Sequence, residues 1–234
     1  MRVLAIGAHP DDVDLLCGGT LAKYAARGDS VTIAVATNGE VGAPDPGMTR
    51  EEVAAIRHGE AQNSAAVIGA DLIWMGFSDE FLFDDRVARE RFIDAIREAR
   101  PDVLFAHSET DYHPDHRVAG TITRDSRIPA SVGLVDTTYA STEIPTVFLM
   151  DTYKGRNFEP EMFVDISAVI EKKKAMLSAH DSQNRWMQHI FSTDMADGML
   201  VQSRFRGEQA GVRYAEGFQV LKDWPLRGDG SLLP

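Results

Sequence analysis

The 234-residue chain predicts an α/β fold, a Rossmann-like and mostly parallel sheet flanked by helices, on three observations. Short, β-rich apolar runs alternate with longer segments of helical period through the first half of the chain. Each run ends in a polar loop, where an open parallel sheet has its carboxyl edge and places its ligands. The second half adds strands and helices without a linker, repeat or low-complexity tract. One domain over residues 1–234 with an added carboxy-terminal strand and helix region is therefore expected.

The expected strands are residues 3–6, 31–36, 72–75 and 103–106, then 144–150 and 162–166, all apolar and bounded by turn residues. Helical period predicts 19–26, with Gly18 and Gly19 read as a turn and Cys17 as a small buried residue beside it. The next helix, 49–68, begins with Thr49 and has Glu52 three positions on, a capping pair. Residues 87–99 follow, closed by Pro101, and later 167–179 and 193–209, the last weakened at Gly198 and Gly207. Residues 43–47 (APDPG) and 125–133 read as loops. The tail from Gly211 packs on the same body, with fraying expected over 227–234.

A formal charge of -12 excludes the basic footprint that nucleic acid or an anionic membrane surface requires. One cysteine excludes an internal disulfide, and no stretch reaches the roughly 20 apolar residues of a membrane span. A cytoplasmic location is expected.

Two loops carry the chemistry. After the first strand the chain reads AHPDDVD, with His9 beside Asp11, Asp12 and Asp14. One or two acids would cap the next helix equally well, and crowded like charges repel. A divalent cation resolves the repulsion, because His9 and Asp12 converge across a Pro-stiffened turn and leave Asp11 as a spare carboxylate. After the fourth strand comes HSETDYHPDHRVAG. His107 by itself reads as structural. Either His113 or His116 completes a site of two His and one carboxylate, and the other is left for transition-state work. Parallel strands set these two loops side by side.

AHPDDVDLLCGGT and DYHPDHRVAG closely resemble the signature segments of the PIG-L/LmbE family of metal-dependent N-deacetylases, nearest to the bacillithiol-pathway type. TNGEVG, IRHGEA, FVDIS, AHDSQ and GVRYAEGF extend the resemblance over nearly the whole chain. The resemblance implies His9, Asp12 and His116 as metal ligands, Zn2+ as the ion with Fe2+ or another divalent metal as alternatives, and Asp11 as general base. It implies His113, as an imidazolium, on the oxyanion, with Asp115 tuning that ring and Arg57 gripping the substrate, an N-acetyl amino sugar conjugate. A homo-oligomer, trimer or hexamer, is implied too. Asp14 departs from the family's usual Glu and shortens the reach by one methylene. Tyr112 is given no role.

Without the resemblance, Arg57 reads as a surface residue paired with Glu52 or Glu60, and Asn38 and Glu40 read as pocket-lining or as turn and solvated residues. His180 reads as a charge at a helix end, and His58 and His189 as structural or solvated. Trp74, Phe77, Phe81 and Phe83 read as core, or one ring as the floor of a sugar site. CGGT lacks the spacing of a phosphate cradle. Rival readings are a metal-dependent hydratase of a small unsaturated acid, an iron(II) oxygenase, and a binding module without turnover.

Overall fold

The computed structural model describes residues 1–43, 45, 47–226 and 230–234. Its strands are β1 (Arg2–Gly7), β2 (Ser30–Thr37), β3 (Asp71–Phe77), β4 (Val103–Ala106), β5 (Thr146–Met150), β6 (Met162–Asp165) and β7 (Ala215–Val220). They form one sheet in the order β3-β2-β1-β4-β5-β7-β6. Strands β1 to β5 are parallel, and β7 runs antiparallel between β5 and β6. The chain builds outward from β1 to β3, then returns to add β4 on β1's other edge. Val3 accordingly pairs with Val31 on one side and Val103 on the other. The strand order reverses between β1 and β4, and their carboxyl ends flank the crevice where such sheets hold ligands.

Helices α1 (Asp12–Arg27), α2 (Arg50–Ile68), α3 (Arg86–Ala99), α4 (Pro114–Ser126), α5 (Ile170–Ser178), α6 (Asp181–Phe191) and α7 (Met195–Ala210) cover the sheet. β1 shows why the strands read as continuous apolar runs. Val3 and Ala5 enter one core with Leu21, Tyr24 and Phe105, while Leu4 and Ile6 enter the other with Phe92 and Ile122. Both faces of the strand are buried. Thr49 and Glu52 form the expected capping box of α2.

Four elements differ from expectation. α1 starts at Asp12, not near residue 19, and runs through Gly18 and Gly19 without a turn. A Cβ on Gly19 would lie 2.8 Å from the Ile166 side chain, so this glycine serves a close approach to the end of β6. Helix α6 and strand β7 were not anticipated. α6 has an apolar stripe of Trp186, Met187, Ile190 and Phe191 among polar residues, yet it buries only Ser182. β7 carries a charge and a glycine, Glu216 and Gly217, where alternation should show. α7 runs unbroken through Gly198 and Gly207.

The expected loop at 43–47 includes positions 44 and 46, and the expected fraying includes 227–229; these lie outside the described residues. Beyond them the chain is tied down: Tyr24 donates to Leu232 O and Lys23 to Pro234 O, each at 2.8 Å. Among the described residues no helix is long and apolar enough to cross a membrane.

Candidate active site

β1 runs straight into a tight turn. The His9 N–H donates to Asp12 Oδ2 at 2.7 Å, and the Asp12 N–H donates to His9 O at 3.3 Å. Asp11 occupies the cap position of α1, yet its side chain caps nothing. Oδ1 instead accepts from Arg57 Nη2 at 3.1 Å, while Arg57 Nη1 donates to Gly39 O at 3.1 Å. Arg57 is 2% exposed, so the surface reading of this residue is wrong. Glu52 serves the α2 cap and Glu60 accepts from Ser182, so neither pairs with it.

β4 ends beside that turn. His107 Nε2 accepts from the Ala8 N–H at 3.0 Å and ties the two strand ends together. α4 follows with His113 as its cap residue and Pro114 in its first turn. Gly120 lets this helix lie against the exit of β4: a Cβ there would sit 2.5 Å from His107 O. That approach seats His116, whose ring stacks on His107 with centroids 4.3 Å apart.

Three side chains converge in the crevice, Asp12 turning one carboxylate oxygen toward each imidazole. His9 Nδ1 lies 3.1 Å from His116 Nε2 and 3.3 Å from Asp12 Oδ2, and His116 Nε2 lies 3.2 Å from Asp12 Oδ1. Ligands at the ~2.0–2.2 Å bond lengths of a tetrahedral zinc site stand ~3.3–3.5 Å apart, so the triangle has close to the needed edge. Two other groupings include His107 or His113. In each of these rings one nitrogen already accepts a backbone N–H, Ala8 N for His107 Nε2 and Asp115 N for His113 Nδ1. A third grouping, His9 with Asp79 and Asp115, offers a single imidazole.

Behind the triangle stand carboxylates. Asp79 Oδ1 is 3.1 Å and Asp115 Oδ2 3.5 Å from His9 Nε2, and Asp111 Oδ1 is 3.1 Å from His116 Nδ1. Both ring nitrogens are buried without an aligned hydrogen bond despite these short distances. The cluster favours positive charge. Burial by itself would lower His116, but Asp12 and Asp111 raise it to about 9. Burial likewise opposes the upward shift of His9, which Asp12 drives. Asp12 is held low against burial by His116, His9 and His107.

His113 behaves differently from expectation. Burial first, then the charges of His9 and His116, lower its pKa. Nδ1 accepts the Asp115 N–H at 3.2 Å, so the neutral ring carries its proton on Nε2, 3.2 Å from Glu80 Oε1. The direction of that shift runs against the imidazolium expected of this ring, and in its neutral form Nε2–H is the donor it offers. The Asp115 carboxylate does not reach this ring either; it accepts from the Glu80 and Leu82 N–H groups at 2.9 and 3.3 Å and shapes their loop.

Asp14 is buried, and its Oδ2 takes His180 Nε2 and Ser64 Oγ directly, each at 2.6 Å. The shorter side chain thus reaches α2 and the α5–α6 corner without a bridge. Burial would lower His180, but the hydrogen bond and charge of Asp14 raise it. Glu40 faces Asn38 at 2.9 Å and Arg50 at 3.7 Å, and its loop meets the cleft through Val41 and Gly42.

The cleft encloses about 750 Å³. Its rings are Tyr112, Tyr153, Trp186 and Phe191, not the Trp74 to Phe83 set; Trp74 packs on His58 instead, with centroids 4.7 Å apart. The sequence reading also passed over Asp79 and Asp111. Asp111 stood in the second motif uninterpreted, whereas nothing local marks Asp79, which the end of β3 delivers.

A cleft at the strand-order reversal, floored by imidazoles and carboxylates, could hold a metal ion, and the deacetylases among the relatives are hydrolases of amide C–N bonds. Residues 4–126 match the family model described as PIG-L, GlcNAc-PI de-N-acetylase, and the chain belongs to that family. It is 28% identical to the diacetylchitobiose deacetylase of Thermococcus kodakarensis, over 94% of this chain and 83% of that protein. It is 25% identical to the 4-oxalmesaconate hydratase of Pseudomonas putida, over 93% and 88%. The solved structure of the N,N'-diacetylchitobiose deacetylase from Pyrococcus horikoshii superposes with a TM-score of 0.80 at 29% identity, covering 94% of this chain and 83% of that one.

Proposed function

We propose that the protein removes the acetyl group from an N-acetylglucosamine-type conjugate, using a divalent cation held by His9, Asp12 and His116. The observation that carries this reading is the donor triangle with Asp11 beside it, fixed by Arg57 but bound to no ligand atom. Zn2+ suits two imidazoles and a carboxylate with a position left open, and Fe2+ accepts the same set. When bound, such an ion supplies Lewis acidity toward a carbonyl oxygen and toward water.

The chain's own residues do the rest. Asp11 accepts a proton from water as the oxygen attacks the acetyl carbon. His113 Nε2–H donates to the oxygen on which negative charge develops, a contact whose loss typically costs on the order of 10²–10³ in rate. Asp11 then returns its proton to the nitrogen as the C–N bond breaks, leaving acetate and a free amine. Arg57 positions Asp11 throughout, and its contact with Gly39 O keeps the guanidinium in place.

The test is to incubate the Zn2+-loaded protein with N-acetylglucosamine conjugates and assay acetate and free amine together. Equal release of both supports the reading. No release from any conjugate, with water added instead across the double bond of an unsaturated dicarboxylic acid, would assign the hydratase chemistry that one relative carries.

Two outcomes follow from the surroundings of the ligands. Asp111→Asn is expected to weaken Zn2+ binding roughly 10–100-fold, because Asp111 orients His116 through Nδ1. Competition with a chromophoric chelator measures this, and unchanged affinity would remove Asp111 from the site. Metal must also displace the proton that His116 holds up to about 9. Affinity should therefore fall at least about tenfold per pH unit as the solution is acidified below that value, and more steeply where His9, which is also raised, must lose a proton as well. The same titration run across pH checks the sign, and a flat profile would contradict the ligand assignment.

A further inference from the structure

α6 is amphipathic, but its apolar face does not enter the core. Trp186, Ile190 and Phe191 belong to neither buried cluster, and only Met187 packs against one. Helical spacing puts Gln183, Trp186, Met187 and Phe191 on one side, and these four line the same cleft as His9, Asp11 and Asp12. Trp186 and Phe191 meet edge to face at 5.5 Å, forming a wall. A second pair of rings, Tyr112 and Tyr153, with centroids 5.9 Å apart, also lines the cleft.

The order of groups along this face has a direction. Gln183 Oε1 is buried with no hydrogen-bond partner, an acceptor suited to a hydroxyl donor. One turn further on, the lining changes from polar to aromatic. A cleft of about 750 Å³ falls in the ~300–1,000 Å³ range that encloses whole drug-sized ligands, more than an acetamide and one sugar ring fill.

We infer that the α6 side of the cleft is an aglycone subsite, and that the substrate class is an N-acetyl amino sugar bearing an apolar, ring-containing aglycone. This rests on the deacetylase reading above. The acetamide lies at the metal triangle, a sugar hydroxyl donates to Gln183 Oε1, and the aglycone ring packs on Trp186 and Phe191. Aromatic walls of this kind gain from both apolar burial and ring stacking. The reaction itself is unchanged: the ring only lowers the free energy of the bound complex and its transition state.

The experiment compares the phenyl and methyl β-glycosides of N-acetylglucosamine with the Zn2+-loaded protein, by acetate release and by calorimetric binding. Trp186→Ala and Phe191→Ala are made separately, and folding is followed by circular dichroism. The expected result is a kcat/KM for the phenyl glycoside about tenfold or more above the methyl one, the effect of burying one ring. Each variant should shrink that ratio toward unity. Equal kcat/KM for the two glycosides would overturn the inference, as would a ratio that survives in both variants. If no acetate appears from either compound, the deacetylase reading fails alone when calorimetry still shows the phenyl preference and its loss in Trp186→Ala. Absence of both turnover and preference overturns the subsite. Light scattering adds a last outcome: a fall in particle mass in the variants would make this face a contact between copies of the chain and would also overturn it.

Discussion

Asp11→Asn is expected to lower deacetylation by roughly 10²–10⁴-fold while the protein keeps its metal. The substitution preserves shape and an acceptor oxygen for Arg57 Nη2, so the turn between β1 and α1 should survive. What disappears is the capacity to take a proton from water and return it to the amine. The loss should fall on kcat, with KM little changed, because no binding contact is removed. Metal content by elemental analysis and acetate release together form the check. His9→Ala and His116→Ala supply the contrast, since they should lose activity and metal together. Full turnover in Asp11→Asn would sink the assigned mechanism, and loss of metal in it would move Asp11 into the ligand set.

His180→Ala is expected to cost roughly 3–5 kcal/mol of stability, the usual penalty for removing one partner of a buried pair. At about 2–4 °C per kcal/mol for a chain of this size, Tm should fall by roughly 10 °C. Asp14 would remain buried with only Ser64 Oγ against it. The pH dependence has a definite sign. The folded His180 is raised above its ordinary value, so its contribution is complete below the unfolded pKa of about 6.5. It is lost as pH rises through the folded value. The gap between wild type and His180→Ala should therefore narrow on the alkaline side, as denaturant titrations at several pH values would reveal. A gap that widens there would mean that a neutral His180 is the stabilising form.

These expectations divide along the line between local and tertiary information. His9, Asp12, His113 and His116 stood out because each lies in, or in the first turn after, a strand-end loop crowded with His and Asp. The sheet was legible because β1, β2 and β4 are buried on both faces and read as apolar runs. Asp79 and His180 were not, because their work depends on distant partners: Asp79 meets a ring 70 positions earlier in the chain, and His180 a carboxylate 166 positions earlier. Asp111 lay inside the second motif, close to its partner His116, and was passed over there. α6 was legible but missed: Trp186, Met187, Ile190 and Phe191 recur at helical spacing in the sequence. Arg57 lines the cleft, where the resemblance implies a grip on substrate, and its guanidinium also lies on Asp11 and Gly39.

Glu216 on β7 has a bearing on how this site comes into being. Its carboxylate accepts from the Gly19 and Thr20 N–H groups of α1 at 2.9 and 2.7 Å, across 197 and 196 positions of sequence, and meets Lys173 at 2.7 Å. α1 is the helix that begins with Asp12. Closing so long a loop is slow, since its entropy must be surrendered before any contact rewards it. The helix carrying the first half of the metal triangle thus gains one of its anchors only when the last strand joins the sheet. The two signature loops are set side by side by β1 and β4 earlier in the chain, and the final tightening of the metal site should come late in folding.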